Sequence, residues 1–354
     1  MRQGSLLSKI IAGKNLAVQI AKQKMRILPP RVPLRIDLNV TNRCNLRCRH
    51  CYAALETVKD VPELSLKQII SIIDDAHRHG CRWFRLVGGE PLLRDDIGVI
   101  IRHIRKRGMF SEVGTNGLLV AKRINELRAV DALCISLDGD RQSNDLLRGA
   151  GSYDKIISGV QAAARNNLKI RLHCVLCAQT LSALPHMVSL SRRYGANINF
   201  GEIAGGKNWQ EDFRQIDEDR LIAFYRSYAD YKKKGAPISN SLFVVDYVMN
   251  WPWKDKLTIF RGDKPEPSGG GGHFKIIPCR LGRLYGFIDV DGGMYPCTKL
   301  WKQGINYFQH GFDRAWDYLG GLTCVSCREM SSNELSLILS GNLRAILNGI
   351  VRFA

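Results

Sequence analysis

Between residues 34 and about 235 the chain alternates strand-like and helix-like runs six times, and few architectures accept that rhythm. Short apolar or alternating runs at 34–40, 82–87, 109–115, 131–138, 168–177 and 196–203 read as strands. A 3.6-residue periodicity predicts helices over about 65–79, 95–107, 118–129, 152–167, 183–194 and 217–234. Gly80, Gly108, Gly195 and Gly235 stand just past four of those helices, where a left-handed residue closes the last turn. Such alternation implies a parallel sheet with right-handed crossovers. Six units make an open version of the eightfold barrel, an α/β fold of partial (βα)6 TIM type, whose working groups gather at the C-terminal strand ends.

The first strand runs straight into Cys44-Asn-Leu-Arg-Cys48-Arg-His-Cys51, three thiols within eight residues. Three thiolates can take three corners of a cubane iron–sulfur cluster, which ordinarily uses four cysteines, so one iron is left open to a reactive ligand. Zinc is the alternative, because Cys48 and Cys51 have the two-residue gap of a zinc knuckle. It needs a fourth ligand close by, and His50 points the wrong way to be one.

The run resembles the C-x3-C-x-aromatic-C signature of the radical S-adenosylmethionine (radical SAM) enzymes, with His50 in the aromatic slot and Thr41-Asn42-Arg43 as the family's usual lead-in. Gly88-Gly89-Glu90-Pro91 resembles its GGEP turn. Thr115-Asn116-Gly117 and Ser136-Leu137-Asp138-Gly139 resemble the ends of its third and fourth strands, and Arg148-Gly149 with Ser152-Tyr153-Asp154 the segment that follows. The resemblance covers about residues 34 to 330. It implies a 4Fe–4S cluster on Cys44, Cys48 and Cys51 whose open iron chelates S-adenosylmethionine. One electron then splits the sulfonium, and the 5′-deoxyadenosyl radical abstracts hydrogen from a substrate carbon. By the same resemblance the Gly88–Gly89 backbone and Glu90 hold the methionine ammonium, and the backbone at Ala204-Gly205-Gly206 edges the adenine. All the motifs up to Asp138 fall at C-terminal strand ends, as the periodicity alone requires.

Strand parity adds side chains to this set. Ser136 and Asp138 share the inward face of the fourth strand, where ribose hydroxyls would satisfy the acid. Arg171 is inward on the fifth strand, placed either to pair the methionine carboxylate or to satisfy an interior acid such as Asp37. Cys177 follows on the same face near the mouth, a candidate hydrogen-atom donor or a plain core filler.

Beyond residue 236 the pattern changes. Trp251-Pro-Trp253 and Gly269 to Gly272 mark residues 236–275 as a lid or slack linker. Cys279, a hairpin from Leu284 to Tyr295 turning at Asp291-Gly292, Cys297, Cys324 and Cys327 then supply four thiols, enough to close a zinc ribbon or a cluster. Cys279, Gly292 and Cys297 fall in a C-x12-G-x4-C pattern that resembles the opening of the SPASM and twitch extensions of radical SAM enzymes. With no cysteine after Cys327, residues 276–330 resemble the shorter twitch type, which implies one auxiliary 4Fe–4S cluster. A C-terminal helix is expected over 331–354.

Residues 1–33 precede the core as a basic amphipathic helix. Residues 1 to 36 hold eight Lys or Arg and no acid, with Leu7, Ile11, Val18, Ala21, Met25 and Leu28 at helical spacing. Three readings compete: packing on the barrel, lying on an anionic membrane surface, or a targeting peptide. No run of some 18 apolar residues spans a bilayer, and seven of eleven cysteines sit in metal-like clusters, which suits a reducing cytoplasm, with the membrane surface as the other address. The formal charge of +19 suits anionic neighbours, but the cations are scattered without the aromatic platform that single strands stack on, which argues against nucleic acid. The expectation is therefore an oxidoreductase-like enzyme on a small-molecule or lipid-linked substrate, fed by a flavodoxin or ferredoxin, whose outcome is dehydrogenation, epimerisation or bond formation. Peptide maturation is the rival activity. A non-catalytic two-cluster electron carrier is the rival class.

Overall fold

The computed structural model describes residues 2–51, 62–202, 216–253, 256–260, 262–263, 274–322 and 324–353. After an N-terminal helix α1 (Arg2–Lys24), six strands fall within two residues of the predicted runs: β1 (Arg35–Asn39), β2 (Trp83–Val87), β3 (Phe110–Thr115), β4 (Ala132–Ser136), β5 (Ile170–Leu176) and β6 (Asn197–Glu202). They pair in parallel in chain order. The intervening helices are α2 (Leu66–Arg78), α3 (Ile97–Lys106), α4 (Ile124–Leu127), α5 (Arg141–Arg148), α6 (Ser152–Arg165) and α7 (Leu184–Tyr194), with α8 (Glu218–Lys233) and α9 (Leu242–Met249) after β6. The expected adenine edge at Ala204–Gly206 and the Gly269–Gly272 run lie outside the described residues.

Outward strand residues Ile36, Leu38, Phe84, Leu86, Leu133, Ile135 and Leu172 are fully buried under the helices, in one core with Ile69, Ile72, Ile100, Ile104 and Val160. Two helices differ from expectation. The 118–129 run shrinks to α4, because Asn116 Oδ1 takes the Leu118 N–H (3.0 Å) and Val120 N–H turns back to Gly117 O (3.3 Å), spending the first turn on i→i+3 bonds. The unanticipated α5 starts at Asp140, whose carboxylate caps Ser143 N–H at 2.9 Å.

The hairpin forms as expected but is not set apart from the barrel. Its first strand, β8 (Tyr285–Ile288), follows β7 (Thr258–Phe260) in the chain and lies parallel to β1, with Arg35 opposite Tyr285 and Leu38 opposite Ile288. β9 (Gly293–Tyr295) and β10 (Ile305–Asn306) extend the same sheet to nine strands. Edge β1 of an open barrel presents unpaired N–H and C=O groups, and β8 covers them. β11 (Cys324–Cys327) pairs with β7 in a separate two-stranded sheet. At the aromatic end of the 236–275 stretch Trp251 and Trp253 are buried, 4.9 Å apart between ring centroids, and packed with Phe274.

Between β10 and β11 stand α10 (Tyr307–His310) and α11 (Phe312–Leu319); the tail is two helices rather than one, α12 (Met330–Leu339) and α13 (Leu343–Phe353). The break is at Gly341, at φ +75°, where a Cβ would meet Lys24 Cβ at 2.9 Å. One face of α1 packs on the barrel: Ala12, Gln19 and Ile20 are buried, and Asn15 and Gln19 donate to the carbonyls of Gly108 (3.0 Å) and Gly80 (3.1 Å). Those glycines precede β3 and β2, so α1 crosses the N-terminal end of the barrel.

Candidate functional site

One cavity of about 580 Å³ fills the barrel, and Cys44, Cys48, Cys51, Gly88, Gly89, Ser136 and Arg171 all line it. That volume is within the usual range of ligand sites. Every cysteine of the chain is a free thiol, and the three of the first loop are half-buried. Leu46 N–H donates to Cys44 Sγ at 3.4 Å, and Arg148 Nη1 approaches Cys48 Sγ at 4.0 Å. Burial pushes Cys48 up to about 11, with its thiol neighbours adding to the rise and Arg148 opposing it. Neighbouring half-buried thiols with raised pKa give up their protons only to a cationic partner, and the irons of a cluster would be one.

The Gly88–Gly89 turn is pressed against the residues leading into the cysteine loop. A Cβ on Gly88 would stand 2.5 Å from Thr41 O, and one on Gly89 2.3 Å from Arg43 O. Gly89 and Glu90 N–H donate to Thr41 O (2.7 Å) and Arg43 O (2.8 Å). Only glycine permits this approach, and it leaves open backbone facing the cavity. Glu90 departs from the resemblance. It is fully buried, and its carboxylate accepts from Leu92 N–H (3.0 Å), Thr115 Oγ1 (2.7 Å) and Asn116 N–H (2.7 Å). Burial lifts its pKa to about 7 against those donors. Glu90 ties the glycine turn to the end of β3, and its carboxylate is spent there.

Asp138 is likewise behind the wall rather than in the cavity. It is fully buried, with His50 Nε2 at 3.1 Å and Arg148 Nε at 2.6 Å from Oδ2, and Val175 N–H donating to Oδ1 at 3.0 Å. Burial opposes its charge, yet Arg148 and then His50 hold the carboxyl well below the ordinary range. β4 ends at Ser136, so alternation no longer governs residue 138. What the carboxylate binds instead is His50 on the cysteine loop and Arg148 at the end of α5. Ser136 stays on the cavity wall.

Arg171 faces inward but is engaged by Glu112. The pairing belongs to an alternating chain across the barrel interior: Arg35–Asp37 (2.7 Å), Asp37–Arg85 (3.4 Å), Arg85–Glu112 (3.4 Å), Glu112–Arg171. The partner is thus Glu112 rather than Asp37, which is four strands away on β1. Sequence reasoning missed Arg85 and Glu112, although an arginine at the centre of apolar Trp83–Val87 was a signal. His173 on the same face is pushed down to about 4 by burial and by Arg85 and Arg171.

Cys177 is withdrawn from the cavity. β5 ends at Leu176, the next residues form a 3-10 turn, and the thiol is buried against Leu147 with Thr180 Oγ1 at 3.6 Å. Cys134, one strand over on β4, does line the cavity.

The second cysteine set is assembled from three segments. Cys279 N–H donates to Val325 O at 2.9 Å, drawing the loop before β8 onto β11. The Cys279 thiol donates to Cys324, which with the nearby Lys299 charge brings Cys324 down to about 7, while burial pushes Cys297 up to about 11. Cys297 lines the same cavity as the first set. Among the described residues no three His, Cys, Asp or Glu side chains are gathered as one metal ion would need.

Residues 38–190 match the model of the radical SAM superfamily. The family's cofactors are a 4Fe–4S cluster and S-adenosylmethionine. Among particular proteins, it is 35% identical over 233 residues to a pre-heme d1 synthase from Dinoroseobacter shibae, covering 60% of this chain and 56% of that protein. It is 29% identical over 302 residues to mycofactocin maturase MftC from Mycobacterium ulcerans, covering 80% and 74%. Of other curated relatives the chain spans between 39% and 57% of their length. The crystal structure of Streptococcus suis SuiB bound to its precursor peptide SuiA shares the fold, with a TM-score of 0.64 at 18% identity over 86% of this chain and 69% of that one. Among the described residues no helix is long and apolar enough to cross a membrane.

Proposed function

We propose that the chain is a radical SAM enzyme in which Cys44, Cys48 and Cys51 hold the 4Fe–4S cluster, with Gly88, Gly89 and Ser136 lining the S-adenosylmethionine site. The observation that carries this is that the three thiols of one loop and the Gly88–Gly89 turn line the same cavity. When bound, cluster and S-adenosylmethionine supply a 5′-deoxyadenosyl radical that takes a hydrogen atom from the substrate. Arg148 offsets thiolate charge at Cys48, while the buried Asp138 fixes both His50 and Arg148. Cys279, Cys297, Cys324 and Cys327 would hold an auxiliary 4Fe–4S cluster, with Lys299 compensating their negative charge. A scattered thiol set suits the corners of a cluster better than one tetrahedral zinc.

The substrate is a small or lipid-linked molecule, and a flavodoxin or ferredoxin is the reductant. Because Cys297 opens on the same cavity and Cys177 does not, dehydrogenation or bond formation is favoured over epimerisation through Cys177. Cys177→Ala is therefore expected to leave both 5′-deoxyadenosine and product formation within about twofold of the parent, at a stability cost of about 1 kcal/mol. Loss of product with 5′-deoxyadenosine retained would restore Cys177 as the donor. Modification of a peptide is the second reading, supported by the match to a mycofactocin maturase over 80% of the chain.

The deciding test is anaerobic reconstitution with iron and sulfide, followed by dithionite and S-adenosylmethionine. Release of methionine and 5′-deoxyadenosine is expected. A two-cluster carrier would release neither, and a 4Fe–4S spectrum indifferent to S-adenosylmethionine would overturn the proposal.

A further inference from the structure

We infer that α1 and α13 together form a docking surface for an anionic bilayer. The inner face of α1 is committed to the barrel through Ala12, Gln19 and Ile20, so its outer face is a finished surface rather than an unpacked core. That face shows Ile10 (58% exposed), Ile11 and Val18, and the chain continues with Met25 and Ile27 (63%). α13 begins beside it, since Gly341 packs on Lys24, and presents Leu343 (63%) and Leu347. Seven of the sixteen large hydrophobic side chains exposed among the described residues are thus collected on two neighbouring helices and their flanks. A patch so concentrated marks an interaction site.

Charge selects the occupant. Lys14, Lys22, Lys24, Arg26 and Arg344 are exposed on these segments, no acid precedes Asp37, and none lies in α13. Apolar side chains interleaved with lysines, and no acids, complement anionic lipid headgroups over an acyl layer. A second copy would set lysine against lysine. The cavity adds continuity: Leu281, Leu335 and Ile338 line it and also pack in one apolar cluster with Leu16, Ile20 and Leu28 beneath α1 and with Ile346 of α13. An apolar cavity wall backed by the docking helices suits a substrate bearing a hydrocarbon chain. This last clause rests on the proposed activity; the docking does not.

The test is flotation of the full chain with phosphatidylcholine vesicles containing about 30% phosphatidylglycerol, against pure phosphatidylcholine, at about 0.1 M salt. Binding to the anionic vesicles alone is expected, weakened about tenfold at about 0.5 M salt. The Ile11→Asp/Val18→Asp variant, changed only at exposed positions, is expected to lose binding about tenfold or more while still releasing 5′-deoxyadenosine. Should it misfold, Lys14→Gln/Lys22→Gln/Lys24→Gln is expected to lose binding likewise. No flotation with anionic vesicles, flotation unchanged in the variants, or self-association in place of flotation would each overturn the surface. A chain that floats but does not cleave S-adenosylmethionine would leave the docking intact and remove the enzyme reading.

Discussion

Replacing Cys48 with Ala is expected to lower reductive cleavage of S-adenosylmethionine by about a thousandfold or more and to halve the iron, from about eight to about four atoms per chain. Cys48 is the middle thiol of the loop, with Cys44 and Cys51 as charge neighbours and Arg148 at 4.0 Å. Two cysteines cannot hold three corners of a cubane. Alanine removes one half-buried sulfur, so the barrel survives it. Cys327→Ala should do the reverse, losing about four irons while keeping 5′-deoxyadenosine release. The measurements are anaerobic iron and sulfide content, the electron paramagnetic signal after reduction, and chromatography of 5′-deoxyadenosine. Wild-type cleavage by the Cys48 variant would place the reactive centre elsewhere.

The contrast between the two cysteine sets shows what the sequence could and could not report. Short-range spacing announces Cys44, Cys48 and Cys51, and the spacing from Cys279 to Cys297 suggests a second site. That Cys297 opens on the same cavity depends on β8 pairing with β1, some 250 residues apart, which no local pattern encodes. Strand positions were legible because inward and outward faces differ sharply in polarity. Parity failed just where the strands stop: β4 ends at Ser136 and β5 at Leu176, so Asp138 and Cys177 turned into the wall. Glu90 and Arg171 face the right region, but partners from other strands claim them. A carboxylate's occupancy is settled by its third-dimensional neighbours, and the sequence holds only its address.

Glu112→Gln is expected to destabilise the fold by about 3 kcal/mol at pH 7 and by much less near pH 3. Glu112 is fully buried between Arg171 and Arg85. Burial alone would raise its pKa; Arg171, then Arg85 and Arg35, overcome that and bring it down to about 2. An unfolded glutamate titrates near 4.3, so the native state binds this proton less tightly. The stability it contributes is therefore fully present above about pH 4.3 and drains away as pH falls toward 2. The gap of about 2.3 units corresponds to the figure above at about 1.4 kcal/mol per unit. Glutamine keeps the shape and one acceptor for Arg171 but removes the carboxylate charge that faces both Arg171 and Arg85, a buried imbalance of the costly kind. Denaturant unfolding of parent and variant at pH 7 and pH 3 tests this. A variant as stable as the parent at pH 7, or an equal deficit at both pH values, would mean that solvent in the cavity screens the arginines and that the alternating chain is not what steadies the barrel interior.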